Sequence, residues 1–154
     1  MIYLEDLEVG SETYFGSYEV TREEVIEFAG KYDPQPFHLS DEAAAKTHFG
    51  RLAASGWHSC AMTMAVIARH VVDTEQAGLG SPGIDELRWL KPVFPGDTLH
   101  VSSKIVEVRP SRSKPEIGSF RSATIVTNQN AEPVLSFTSI VLMRRRPQEE
   151  AAAD

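Results

Sequence analysis

The chain has 154 residues, 42% of them hydrophobic and 24% charged, with a net charge of −7, which is one globular domain's worth and enough for a core without staples. The acidic balance, with no basic stripe interleaved with aromatics, argues against nucleic acid as a partner. A lone cysteine, Cys60, allows no intrachain disulfide and suits a reducing compartment. No basic-then-apolar leader opens the chain, and no apolar run approaches the ~20 residues of a membrane span, so a cytoplasmic protein with no membrane partner is expected.

Taken in order, residues 12–20 carry Tyr14, Phe15 and Tyr18 and suit a first strand. Thr21-Arg22-Glu23-Glu24 matches a capping box, with Glu24 reaching back to the cap. Val25, Ile26, Phe28 and Ala29 then predict a short amphipathic helix ending near Gly30. Ser40 is a good cap for a second short helix over 41–46. From Trp57 onward, Trp57, Cys60, Ala61, Met64, Ala68, Val71 and Val72 form one stripe at helical spacing, and Ala65, Val66 and Ile67 fill much of the other side. That predicts a long helix surrounded by protein, with Trp57 and Met64 in the core; lining of a ligand pocket is the alternative. Gly78, Gly80, Pro82 and Gly83 close this half.

The second half has the period of strands. Ile84–Val93 is a strand signal, Pro95-Gly96-Asp97 a turn, and Leu99, Val101, Ser103 and Ile105 alternate with polar partners until Val106 breaks the pattern, as a bulge does. Two further strands run around 120–125 and 135–143, separated by Asn128–Pro133. Residues 147–154 read as a frayed tail. No internal repeat or linker divides residues 1–154, which are expected to form a single domain. Helices followed by consecutive strands indicate an α+β fold with a curved antiparallel sheet around the long helix. The outer edge of such a sheet can pair with a second copy, so a homodimer or higher homo-oligomer is expected.

Chemistry concentrates in Tyr32-Asp33-Pro34-Gln35-Pro36-Phe37-His38. It holds a carboxylate and an imidazole, the commonest general acid/base groups. Each proline fixes its own φ and drives the residue before it toward extended geometry, so the segment is a stiff, non-helical loop. Residues five apart on a straight strand face opposite ways; Asp33 and His38 converge only if the loop curls. The competing interpretation is a structural turn in which Asp33 caps and His38 is half-buried.

Asp33-Pro34-Gln35-Pro36-Phe37-His38 resembles the D-x-N-P-x-H signature of the MaoC-like, R-specific enoyl-CoA hydratases, which have the hot-dog fold. Ala54-Ser55-Gly56-Trp57 stands where that family has the glycine that starts its central helix, and Leu90–Leu99 looks like the strand-turn-strand of the wider superfamily. The resemblance covers roughly residues 8–143. It implies reversible hydration of a trans-2-enoyl-CoA to an R-3-hydroxyacyl-CoA, with Asp33 and His38 as the acid/base pair on one water. The thioester carbonyl would sit against the backbone N–H of Gly56, where the helix dipole favours enolate charge and glycine permits close approach. CoA enters as part of the substrate; no metal or other cofactor is implied. One departure is Gln35, where the family usually has Asn; its longer side chain is a candidate support for Asp33. A serine that some members carry two turns into the helix falls near Met64 and is not carried over.

Other residues are assigned blander roles. Cys60 is read as a core thiol, His58 as a cap or surface residue with a pocket-mouth role as alternative, and His70 and His100 as polar-face residues. His48 and His58 lack metal-ligand spacing. Arg51 and Arg144-Arg145-Arg146 are read as solvated, with a contact to CoA phosphates as the alternative. Two further functions stay open. A thioesterase shares the fold and the CoA ligand but usually works without a paired histidine. A non-catalytic acyl-binding protein would leave Asp33 and His38 more than ~8 Å apart, outside proton-transfer reach.

Overall fold

The computed structural model describes residues 1–148. Strand β1 (Glu12–Glu19) is followed by three helices: α1 (Arg22–Tyr32), α2 (Asp41–Ala44) and α3 (Gly56–Asp73). Four strands come after them: β2 (Gly83–Trp89), β3 (Thr98–Pro110), β4 (Ile117–Thr127) and β5 (Pro133–Arg144). All five join one antiparallel sheet in the order β1-β3-β4-β5-β2. The helical block is therefore inserted, in sequence, between the two strands that end up at the edges.

Local chemistry explains most boundaries. Thr21 caps α1 by accepting from the Glu24 N–H at 3.3 Å, and Ser40 caps α2 through the Ala43 N–H at 3.2 Å. Helix α1 runs through Gly30 to Tyr32 rather than stopping at the glycine; what ends it is Pro34, which forces Asp33 out of helical geometry. The second half of the capping box does not form, because the Glu24 carboxylate turns to Tyr18 and His58 instead. Helix α2 is shorter than the expected 41–46, and β2 ends at Trp89, before Lys91-Pro92. Gly96, with φ +94°, makes the turn into β3. The expected bulge at Val106 is present: the β3–β4 register shifts between Ile105 and Glu107. The tail expected over 147–154 falls mostly outside the described residues.

The core cluster lies between the sheet and α1 and α3. It includes Val20, Val25, Leu52, Met62, Val66, Val93, Leu99, Val101, Val126, Val134 and Leu135. One expectation about α3 is overturned. Its fully buried residues are His58, Ser59, Met62, Thr63 and Val66, whereas Trp57 and Met64 are 58% and 55% exposed. Much of the apolar stripe is left uncovered: Trp57, Ala61, Met64 and Val72 are exposed, while Cys60 packs against the core. Beside it, edge strand β2 exposes Ile84 and Trp89, with Trp89 set edge-on to Trp57 at 5.2 Å between centroids.

Candidate active site

The site is assembled at the junction of α1 and α3. Asp33 is the C-cap of α1. The Gln35 N–H donates to the Asp33 carbonyl at 2.8 Å and the His38 N–H to the Gln35 carbonyl at 2.9 Å, so the proline segment closes into a 3-10 turn over Pro36–His38. The predicted stiff loop is thus partly helical, and that turn supplies the curl. It swings His38 round until its Nε2 lies 3.5 Å from Asp33 Oδ2.

Each group is oriented by partners of its own. The His38 ring is buried between Phe37 and Phe49, with centroids at 4.6 and 5.9 Å. Its Nδ1 sits 2.7 Å from the Ala53 carbonyl. A carbonyl only accepts, so Nδ1 carries the hydrogen and, in the neutral ring, Nε2 presents its lone pair toward Asp33. Asp33 receives the Gln35 amide on Oδ1 at 2.6 Å and the Ser55 hydroxyl on Oδ2 at 2.7 Å. Partial burial raises the Asp33 pKa. The two donors and the neighbouring His38 ring outweigh it and hold the carboxyl below the usual aspartate value. Two acceptors therefore face each other across a distance longer than an ordinary hydrogen bond. A molecule with two O–H donors, such as water, matches that pair.

Ser55 is the N-cap of α3, yet its side chain makes no capping bond. Its hydroxyl is committed to Asp33, so the first N–H groups of the helix keep no side-chain cap. Gly56 follows it, and the structure adds a constraint on that glycine which the sequence did not suggest. A Cβ at position 56 would lie 2.6 Å from the Trp89 indole. Glycine is required there because the Trp89 indole lies against the helix start.

Sequence reasoning missed three contributors: Ser55, the Ala53 carbonyl and Trp89. The cap or surface role expected of His58 is overturned: it is 2% exposed and meets Glu24 Oε1 through Nε2 at 3.2 Å, in the wall of a cleft between α1 and α3. The remaining candidates fall elsewhere. The Arg51 guanidinium stacks 4.0 Å over the Phe94 ring, and His48 packs on Phe49 at 4.1 Å. Arg145 and Arg146 pair with Glu5 and Asp6 at 2.9 and 2.5 Å. Burial pushes the Cys60 thiol pKa up, against a bond from Trp89, as expected of an unreactive thiol. Among the described residues, no group of three His, Cys, Asp or Glu side chains comes together as a metal site, and no helix is long and apolar enough to cross a membrane.

Five antiparallel strands laid over one long helix, with an Asp–His pair set against that helix's amino end, define a hot-dog fold of the dehydratase type. The chain belongs to the MaoC-like family, whose domain model matches residues 7–129. A MaoC-like dehydratase from Rhodospirillum rubrum has the same fold, with a TM-score of 0.85 over 96% of this chain and 99% of its own, at 39% identity. An unliganded R-hydratase from Pseudomonas aeruginosa gives a TM-score of 0.73 over 94% of this chain and 87% of its own, at 26% identity. The 3-hydroxybutyryl-CoA dehydratase of Methylorubrum extorquens is 34% identical over 116 residues, covering 74% of this chain and 70% of the relative.

Proposed function

We propose that the protein reversibly hydrates a trans-2-enoyl-CoA to an R-3-hydroxyacyl-CoA, with Asp33 and His38 as the acid/base pair. The observation that carries this reading is the 3.5 Å approach of Asp33 Oδ2 and the proton-free face of His38. A water donating to both would be aimed at the β-carbon. In hydration its oxygen bonds that carbon, one of its protons passes to the pair, and the pair delivers a proton to the α-carbon. The two side chains end as they began. Negative charge that develops on the thioester oxygen is met by the uncapped N–H groups and positive dipole end of α3, at Gly56. Gln35 and Ser55 would keep Asp33 ionised and pointed. CoA enters as part of the substrate, and this chemistry calls for no metal or resident cofactor. Similarity to a 3-hydroxybutyryl-CoA dehydratase and to an R-hydratase supports this class of reaction.

The test is a panel of enoyl-CoA and acyl-CoA thioesters, followed for loss of the conjugated absorbance and for release of free thiol. Loss of absorbance without thiol is expected; thiol release would instead make the protein a thioesterase. Asp33→Asn should keep the fold and lower kcat by on the order of 10²–10⁴-fold. Undiminished hydration in that variant refutes the assignment.

A further inference from the structure

A second polar cluster lies in the first turn of α3 and has no part in the proton chemistry above. His58 Nε2 donates to Glu24 Oε1 at 3.2 Å, and the Tyr18 hydroxyl donates to the same oxygen at 2.5 Å. The His58 ring lies flat on Phe28, with centroids 4.6 Å apart and planes 10° apart. Its Nδ1 is buried without a hydrogen-bond partner among the described residues. An apolar ring would fasten two helices at lower desolvation cost, so stability alone is a poor reason for a histidine here. A hydrogen bond has something an apolar contact lacks, which is a defined direction and length.

The placement of this bond supplies the reason. Glu24 and Phe28 are four residues apart on one face of α1 and grip His58 from that side. Phe28 packs on Tyr32 at 5.0 Å, and Tyr32 is the last residue of α1, beside Asp33. On α3, His58 stands one turn from Ser55, whose hydroxyl holds Asp33 Oδ2. Both ends of the Asp33–Ser55 bond therefore hang on helices that the Glu24–His58 bond ties together. Glu24 itself is nine residues before Asp33, about 13 Å along the helix axis. We propose that Glu24 and His58 are positioning residues, whose bond sets α1 against α3 and thereby holds the Asp33–Ser55 contact in its working geometry. The proposal deepens the hydratase reading and rests on Asp33 being its acid/base group.

The test compares His58→Phe, Glu24→Ala and Glu24→Gln with the parent. His58→Phe keeps a ring on Phe28 and removes the donor. Glu24→Gln keeps an oxygen that accepts from Tyr18 and His58. Carboxyl NMR gives the titration midpoint of Asp33, and kcat and KM come from enoyl-CoA hydration. In His58→Phe and Glu24→Ala, the Asp33 midpoint should rise toward that of a free aspartate as the Ser55 bond slackens. In both, kcat should fall on the order of tenfold, with KM changing less than about twofold. Glu24→Gln should recover most of both losses. An Asp33 midpoint unmoved in both variants, or Gln no better than Ala, overturns the proposal. The NMR midpoint reads positioning even in a chain that hydrates nothing. A shifted midpoint without activity in the parent leaves positioning standing and removes the hydratase reading, whereas activity with an unmoved midpoint does the reverse. Should His58→Phe not fold, Glu24→Ala, with a side chain 42% exposed in the parent, decides alone.

Discussion

The Asp33 carboxylate is set by neighbours on both of its oxygens, and Ser55 is the one most easily removed. Ser55→Ala deletes a donor to Oδ2 and leaves burial opposing ionisation with less to offset it. The Asp33 pKa should rise. In the folded protein that pKa lies below its unfolded value of about 3.9. Ionised Asp33 thus contributes stability above that value, and the contribution is lost as pH falls through the folded pKa. The variant narrows this gap, so it should lose about 1–2 kcal/mol near pH 7, a loss that shrinks as pH falls through the folded pKa, as thermal melts over an acid pH series would record. The acid limb of its pH–rate profile should also move to higher pH. At this scale the Asp33–His38 pairing was legible through the likeness of Asp33–His38 to the family signature; the two prolines alone made a stiff loop and left a structural turn equally open. Ser55 was not, because a serine just before a helix reads as a cap, and nothing in the local pattern says that its hydroxyl turns to a residue 22 positions earlier.

Among the elements, α3 carries the clearest lesson about periodicity. A stripe at helical spacing says which residues share a face, and it found that face correctly. It does not say whether the face meets the chain's own sheet, and here Trp57 and Met64 turn outward while His58, Ser59 and Thr63 are buried. The capping box failed for a related reason. Its pattern is local, whereas Glu24 has long-range partners in Tyr18 and His58. The packing of β2 on α3 makes its own prediction. Gly56→Ala forces a methyl group into the Trp89 indole and should destabilise by about 1–3 kcal/mol. In a Trp89→Ala background the same change should cost close to nothing. A double-mutant cycle on thermal unfolding measures the coupling; additive effects would mean that the two residues do not press on each other.

For the molecule as a whole, the order of helices and strands made the α+β sheet readable, since consecutive strands with short turns pair antiparallel. What composition did not reveal is how much apolar surface one copy leaves uncovered: Trp57, Met64 and Val72 on α3, with Ile84, Trp89 and Leu90 beside the sheet edge. Exposed apolar side chains concentrated on one long helix and a sheet edge, two of them in contact, suit an interface, and we propose that a second copy covers them. Sedimentation should show a dimer or larger assembly, and Met64→Glu, which sets a charge in that patch, should shift the population toward monomer. A parent that sediments as a monomer at micromolar concentration contradicts the proposal. The strand order also bears on how the chain comes into being. Strand β1 finds its partner only in β3, with Tyr14 opposite Ser102, and Ala54 beside the site is held by the Val93 carbonyl. A nascent chain that has released all its helices from the ribosome holds β1 but still lacks the four strands that complete the sheet beneath them. Because such distant pairings close slowly, the acid/base loop is among the first parts to be made and can be among the last to become native.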